Sequence, residues 1–132
     1  MSPEDKKAYI EYRLKRADAS VQEAEDMLNL GHTTAALSRL YYACFYSVDA
    51  LLHHNNISNA TTHSGVRRML GKHIVESGKV SKDMGRFYTN IFEQRHKGDY
   101  DAFVEFESVE VEDMLTTGKA FIRQIKALID KP

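Results

Sequence analysis

The sequence has one cysteine, two prolines and no tryptophan. A single cysteine, Cys44, excludes an internal disulfide, and its apolar neighbours predict a buried thiol, as suits a reducing compartment. The prolines, Pro3 and Pro132, lie at the two ends, so no proline interrupts a helix in between. No apolar run approaches the ~20 residues that a membrane-spanning helix needs, and the first residues lack the apolar stretch of a secretory signal. We therefore expect a cytoplasmic protein with no membrane association.

The composition is that of an ordinary globular domain, with 42% hydrophobic and 28% charged residues in a chain of 132. A chain of this length supports one hydrophobic core, so we predict a single domain over residues 1–132. The sequence shows no strand-like alternation and no internal repeat. These features favour an all-α fold.

Apolar residues recur at steps of three and four along the start of the chain, which predicts one long amphipathic helix. The next segment, 33–54, is apolar on more than one face, so we predict that it is the central and most buried helix. Ser81 is placed to cap a later helix that runs to about residue 96. Gly31, Gly78 and Gly98 each follow a helical stretch, where a left-handed residue often ends a helix.

A shorter helix at 64–76 and a last helix at 108–129 complete the pattern. Long helices joined by short loops are typical of a bundle. The predicted fold is therefore all-α, an up-and-down four-helix bundle with an additional short helix.

The charges are unevenly distributed, although the net charge is only -1. Residues 61–98 carry eight Lys or Arg against three acids, whereas residues 99–118 carry seven acids and no Lys or Arg. One reading is a pair of solvated helix faces that partly neutralise each other. The other is a basic patch that attracts phosphates. Arg67, Arg68 and Lys72, on or near one face of the third helix, form either a phosphate-binding strip or a plain solvated face.

Five short segments resemble, in order, the small free-standing prokaryotic members of the HEPN family of helical bundles. They are YRLKRA at 12–17, ALSRLYYA at 36–43, THSGV at 62–66, GKH at 71–73 and RHKGDY at 95–100. The resemblance covers roughly residues 8–130. It implies the same helical bundle that the periodicity predicts.

The resemblance also implies a site, because many members of this family are metal-independent ribonucleases. Their signature is an arginine, usually followed by a polar residue, with a histidine four to six positions after the arginine. Here Arg95 is followed by His96, but Tyr100 stands at the fifth position and no histidine follows. The candidate catalytic residues are thus Arg95, His96 and Tyr100. Arg95 would stabilise the charge of the phosphorane, His96 would transfer protons, and Tyr100 would donate a hydrogen bond or stack on a base.

Each of these residues also has a plain structural reading. Arg95 could satisfy carbonyls at a helix end or pair with Asp99, and His96 could be an exposed side chain at a helix C-terminus. Tyr100, with an ordinary pKa near ~10, is a poor base at neutral pH.

Further residues are candidates for the same groove. Of the paired tyrosines, we expect one to pack in the core and the other, Tyr42, to line a groove. Arg39 and His63 are candidates to lie within reach of Arg95. Arg39 and Tyr42 join Arg67, Arg68 and Lys72 in the predicted nucleic-acid or phosphate-binding set.

One pair of residues matches part of a metal-binding pattern. Glu93 and His96 form a Glu-x-x-His pair, as in di-iron sites of helical bundles, but such sites need two pairs and two further carboxylates. The sequence offers one pair. We expect neither a metal nor a cofactor.

The leading hypothesis is an RNA- or nucleotide-binding component of a toxin–antitoxin or defence-type system. The resemblance implies a homodimer that brings two Arg95 regions into one cleft, and a nucleotidyltransferase partner protein. In related pairs that enzyme can modify a tyrosine near the arginine, which draws attention to Tyr100. An active metal-independent endoribonuclease and a non-catalytic helical adaptor are the alternatives.

Overall fold

The structure is a computed structural model that describes residues 1–101 and 104–130. Within those ranges the regular structure is entirely helical, which confirms the all-α prediction. The elements are α1 (Pro3–Asn29), α2 (Thr33–His54), α3 (His63–Met69), a π-helical segment (Leu70–Val75), α4 (Lys82–Tyr100) and α5 (Ser108–Asp130). Four long helices and one short helix thus form the predicted bundle.

Polar side chains and glycines define the helix ends. The Ser2 hydroxyl accepts a hydrogen bond from the Asp5 N–H (3.0 Å), and the Ser81 hydroxyl accepts one from the Met84 N–H (3.2 Å). Gly31 has a φ of 81° as the chain turns from α1 into α2. That conformation is open to glycine because it has no Cβ.

The second helix is the centre of the bundle, as its apolar sequence predicted. It contacts each of the other four α-helices. Twelve of its residues are buried, including Cys44, the predicted core thiol. Burying apolar side chains around one central helix is the main source of stability in such a bundle. It also makes α2 the rigid element that carries the aromatic residues of the site.

The predicted helix end at Gly98 is wrong. Gly98 lies inside α4, which continues to Tyr100. A Cβ at this position would lie 2.9 Å from Phe106 Cε2 and 3.2 Å from Thr34 Cγ2. The glycine is therefore needed for close packing of α4 against these two side chains, and not for a left-handed turn.

The third helix also differs from the prediction of one helix over 64–76. It begins one residue earlier, at His63, because the Thr62 hydroxyl caps it by accepting from the Gly65 N–H (2.9 Å). From Leu70 to Val75 the backbone is π-helical. Such wider turns are rare and frequently occur at functional sites. None of the helices in the described ranges is long and apolar enough to cross a membrane.

Candidate functional site

Arg95, near the end of α4, lies against two aromatic rings of α2. Its Cζ is 5.4 Å from the centre of the Tyr41 ring and 5.1 Å from that of Tyr42. Its Nη2 donates a hydrogen bond to the Tyr42 hydroxyl (3.0 Å). A guanidinium held over aromatic faces is attracted by the ring electrons and keeps a defined orientation. With 20% of its side chain exposed, Arg95 can still meet a ligand.

The two tyrosines take different environments because neighbouring residues of a helix point about 100° apart. Tyr41 is fully buried and Tyr42 is half-buried, as we expected of the pair. Burial raises the pKa of Tyr41 to about 12. Tyr41 therefore stays protonated at neutral pH and can act only as a hydrogen-bonding group.

Asp99 fixes Arg95 from the same helix. The Asp99 Oδ2 lies 3.1 Å from Arg95 Nε, which is the pairing that the sequence suggested. This contact is an ion pair and not a hydrogen bond, because the buried Nε–H is not aimed at any acceptor among the described residues. Arg95 thus has a carboxylate partner without having all its donors satisfied.

His63, the first residue of α3, completes the arrangement. Its Nδ1 lies 2.8 Å from the Tyr41 hydroxyl, and its ring stacks on Phe45 at 4.3 Å between centres. The ring is 5.7 Å from each of the two tyrosine rings that also contact Arg95. Burial, and then the charge of Arg95, lower the pKa of His63 below its ordinary value, so the imidazole is neutral at pH 7.

We call the group formed by Arg95, Asp99, His63 and the rings of Tyr41, Tyr42 and Phe45 the Arg95 cluster. The tautomer of His63 decides what this cluster can do. If Nδ1–H donates to the Tyr41 oxygen, Nε2 can accept a proton. If Tyr41 donates to Nδ1, Nε2–H is itself a donor. A group that exchanges these roles beside a fixed arginine suits proton transfer next to a phosphate.

The other predicted residues of the arginine signature lie on the exposed side of α4. The rings of His96 and Tyr100 contact each other at 4.7 Å between centres. Tyr100 is 74% exposed. Arg39 instead approaches Glu23 of α1, with Nε 3.6 Å from a carboxylate oxygen. Of the residues named from the sequence, Tyr42 and Asp99 contact Arg95 directly, and His63 lies against the same two rings. Arg39 does not reach the Arg95 cluster.

The three basic residues of the predicted phosphate strip are not equivalent. Arg67 is partly buried, and its Cζ lies 4.8 Å from the centre of the Phe92 ring. Arg68 and Lys72 are exposed, and Lys72 belongs to the π-helical segment. Arg67 alone of the three has a position fixed by packing.

A second polar cluster, which the sequence did not predict, joins α1 to α2. Asp49 is 5% exposed, and its Oδ2 accepts a hydrogen bond from the Tyr9 hydroxyl (2.5 Å). The same oxygen lies 3.0 Å from Arg13 Nε, and Oδ1 lies 3.3 Å from His53 Nδ1. A buried carboxylate needs partners of this kind, because an unpaired buried charge is strongly unfavourable.

Tyr46 connects the two clusters along one face of α2. Its ring lies 6.0 Å from the Tyr42 ring, with Arg13 Cζ at 5.1 Å and Arg16 Cζ at 5.6 Å from its centre. Two neighbouring rings with arginines at both ends therefore connect Arg95 to the first helix. Proteins that bind single-stranded nucleic acid combine these two groups, because bases stack on rings and phosphates pair with cations.

A metal site is not evident. The described residues contain no grouping of three or more His, Cys, Asp or Glu side chains placed to hold an ion. The Glu-x-x-His pair noted in the sequence, Glu93 and His96, belongs to α4.

The sequence is similar to a known domain family and to several known proteins. The sequence model of the HEPN domain matches residues 10–128. A UPF0332 protein of Thermotoga maritima is 38% identical over 126 residues, covering 96% of this chain and 95% of the relative. A Methanocaldococcus jannaschii protein described as a candidate toxin is 31% identical over 120 residues, covering 91% of this chain and 81% of that protein. A second protein of that organism with the same description is 35% identical over 91 residues, or 69% of this chain and 66% of its own.

Proposed function

The chain belongs to the HEPN domain family, and we propose that it is the RNA- or nucleotide-binding component of a toxin–antitoxin or defence-type system. The toxin part of this proposal is supported by the two Methanocaldococcus jannaschii relatives that are described as candidate toxins. The nucleic-acid part is supported by the site itself.

The observation that carries the proposal is the position of Arg95. Its guanidinium is held on the rings of Tyr41 and Tyr42, and 20% of the side chain is exposed. A planar cation can grip a phosphate through two parallel hydrogen bonds. The half-buried ring of Tyr42 beside it offers a surface on which a base can stack.

We further propose a homodimer. Tyr42, Phe45 and Tyr46 are each half-buried on one stretch of α2, so aromatic surface remains at the site. A second copy of the chain packed on this face would cover it and bring the two Arg95 clusters together. The partner protein that we propose is a nucleotidyltransferase, for which the exposed Tyr100 hydroxyl would be an accessible target.

An active ribonuclease is a second candidate, and the position of His63 favours it. The expected histidine after Arg95 is absent, but His63 reaches the same rings from α3. Cleavage without a metal requires proton transfer to and from sugar oxygens and stabilisation of the phosphorane. His63 Nε2 would carry the proton and Arg95 would stabilise the charge.

The test is to incubate purified protein with mixed single-stranded RNAs, with and without a chelator. Binding without cleavage supports the leading proposal, and chelator-insensitive cleavage supports the ribonuclease. If the protein neither binds nor cuts RNA and binds no nucleotide, the adaptor reading replaces both.

The salt dependence of RNA affinity tests whether the predicted phosphate strip, Arg67, Arg68 and Lys72, contacts RNA. Affinity should fall as salt rises, because phosphate contacts release counterions. Replacing Arg67, Arg68 and Lys72 by Ala should flatten that slope. An unchanged slope would mean that these three residues are solvated surface residues that do not contact phosphates.

A further inference from the structure

A groove of about 530 Å³ lies between the α3–π segment and α4. This volume falls within the ~300–1,000 Å³ range of small-molecule sites. Its apolar floor includes Leu70 and Val75, and the cations Arg67, Lys82 and Arg86 line it. The arginine signature did not point to this groove, which lies on a different face of α4 from Arg95. The sequence had named two of its residues, Arg67 in the predicted phosphate strip and Gly71 in the GKH segment.

The charge of the groove favours an anion. Three cations line it against one carboxylate, that of Glu93. Arg86 also pairs with Asp83, but 71% of the Arg86 side chain and 88% of the Asp83 side chain are exposed. A pair so exposed is weak and leaves most of the cation's attraction for another anion.

Arg67 is the cation of the groove whose position is fixed by packing. Stacking on Phe92 fixes its guanidinium, as described above. Its Nε is buried and has no hydrogen-bond acceptor among the described residues. Buried donors are nearly always satisfied, so the unpaired Nε–H means that the protein does not use all the hydrogen-bonding capacity of Arg67.

The π-helical segment forms the wall of the groove opposite α4, and it leaves room for a ligand to approach the backbone. Gly71 lines the groove, and a Cβ built on it would meet no atom within 4 Å, so it faces open space. It belongs to the π-helical segment, a backbone form that frequently marks functional sites. Thr89 and Asn90 add neutral hydrogen-bonding groups from α4.

We propose that this groove binds a phosphate monoester carried on a compact, partly apolar body, namely a nucleoside 5′-monophosphate, either free or at the 5′ end of an RNA. The phosphate meets Arg67 and Lys82, and the nucleoside lies along Leu70 and Gly71. This site goes beyond the function proposed above, because it does not use the Arg95 cluster. Phe92 links the two, since its ring contacts both Arg67 and Tyr41.

The test is calorimetric titration of the full chain with AMP, adenosine, inorganic phosphate, and a trinucleotide with or without a 5′-phosphate. AMP should bind at least about tenfold more tightly than adenosine, because a charged hydrogen bond is worth roughly a factor of ten or more. Gly71→Leu fills the groove and should abolish AMP binding. Arg123→Ala, which removes a cation from an exposed position of α5 outside the groove, is the control and should retain it.

Arg67→Gln keeps a hydrogen-bonding side chain while removing its charge, and should weaken AMP binding by about ten- to a hundred-fold. Arg67→Gln therefore still tests the proposal if the Gly71→Leu protein does not fold. Tighter binding of the 5′-phosphorylated trinucleotide than of AMP assigns the site to an RNA end, and the reverse assigns it to a free nucleotide. Absence of binding by both phosphorylated probes, or equal AMP affinity in wild type, Gly71→Leu and Arg67→Gln, would overturn the proposal.

Arg67→Gln and Arg95→Ala together distinguish the two sites. A loss of AMP affinity in Arg67→Gln assigns AMP to the groove, whereas a loss in Arg95→Ala with full affinity in Arg67→Gln would assign AMP to the Arg95 cluster and overturn the groove.

Discussion

The Tyr41 hydroxyl lies 2.8 Å from Nδ1 of His63, and this contact joins the central helix to the start of α3 beside Arg95. The two residues are 22 positions apart in the sequence. Neither belongs to the arginine signature that directed attention to residues 95–100. The contact nevertheless determines which nitrogen of His63 faces away from the core and is left for a substrate.

His63 should titrate below the ordinary histidine pKa of ~6.5, because burial and the charge of Arg95 both disfavour its cation. Replacing Arg95 by Ala should raise the pKa of His63, since one of the two causes is removed. NMR titration of the histidine resonances measures this directly. A His63 pKa that is unchanged in the Arg95→Ala protein would contradict the electrostatic contact between the two.

The same shift has a consequence for stability. Between the lowered folded pKa of His63 and ~6.5, the unfolded chain binds more protons than the folded one. The contribution of His63 to stability is therefore fully present above ~6.5 and decreases as pH falls through that window. His63→Gln should reduce this dependence in denaturant unfolding at successive pH values.

Gly98→Ala should destabilise the protein by about 1–3 kcal/mol, the usual cost of forcing an extra methyl into a packed site. The added Cβ would lie 2.9 Å from the ring of Phe106. Gly71→Ala is the control, because its Cβ meets open space and alanine is the better helix former. Thermal unfolding of both variants measures the difference. Equal melting temperatures would show that α4 is not held closely at Gly98.

The fold could be predicted from the sequence because the apolar spacing and the caps act locally. Ser81, for example, caps the helix that it was predicted to cap. Gly98 shows the limit of such reasoning. In the sequence, a glycine that ends a helix cannot be told from a glycine that allows another side chain to pack closely. At Gly98 the position of Phe106 in the folded protein decides between the two.

Much of the Arg95 cluster was named from the sequence. Arg95, Asp99, Tyr42 and His63 were all candidates, and the structure brings them together. The Asp49 cluster was missed, although an acid inside an apolar stretch of a buried helix was a signal that partners must exist. Its partner Tyr9 lies 40 positions earlier, and no spacing rule connects residues across that distance.

Assembly can be checked by light scattering. We expect a mass above the 15.1 kDa of one chain at tens of micromolar, because the half-buried rings of α2 are suited to a second copy. Tyr46→Lys adds a cation beside Arg13 and Arg16 and should shift the mass toward a monomer, with an unchanged helical circular dichroism spectrum. A wild-type protein that is monomeric under these conditions would exclude the dimer cleft.

Tyr100→His restores the family spacing after Arg95 and supplies a side chain that titrates near neutrality. If the natural chain binds RNA without cutting it, this variant should show cleavage that a gel assay can detect. Tyr100→Phe is the control and should change little, since it removes only one exposed hydroxyl. Activity that is equally absent from both variants would mean that position 100 does not limit catalysis.

The most direct test of the central claim is the affinity of the protein for single-stranded RNA, measured by fluorescence anisotropy for wild type, Arg95→Ala and Arg95→Lys. Removing the guanidinium should cost about 1.5–3 kcal/mol, or roughly ten- to a hundred-fold in affinity. Lys should restore only part of it, because it cannot form two parallel bonds to a phosphate. Arg123→Ala, which removes the same charge from an exposed position of α5, should bind nearly as well as wild type. RNA binding that is equally strong in Arg95→Ala and wild type would contradict the assignment of the site to the Arg95 cluster.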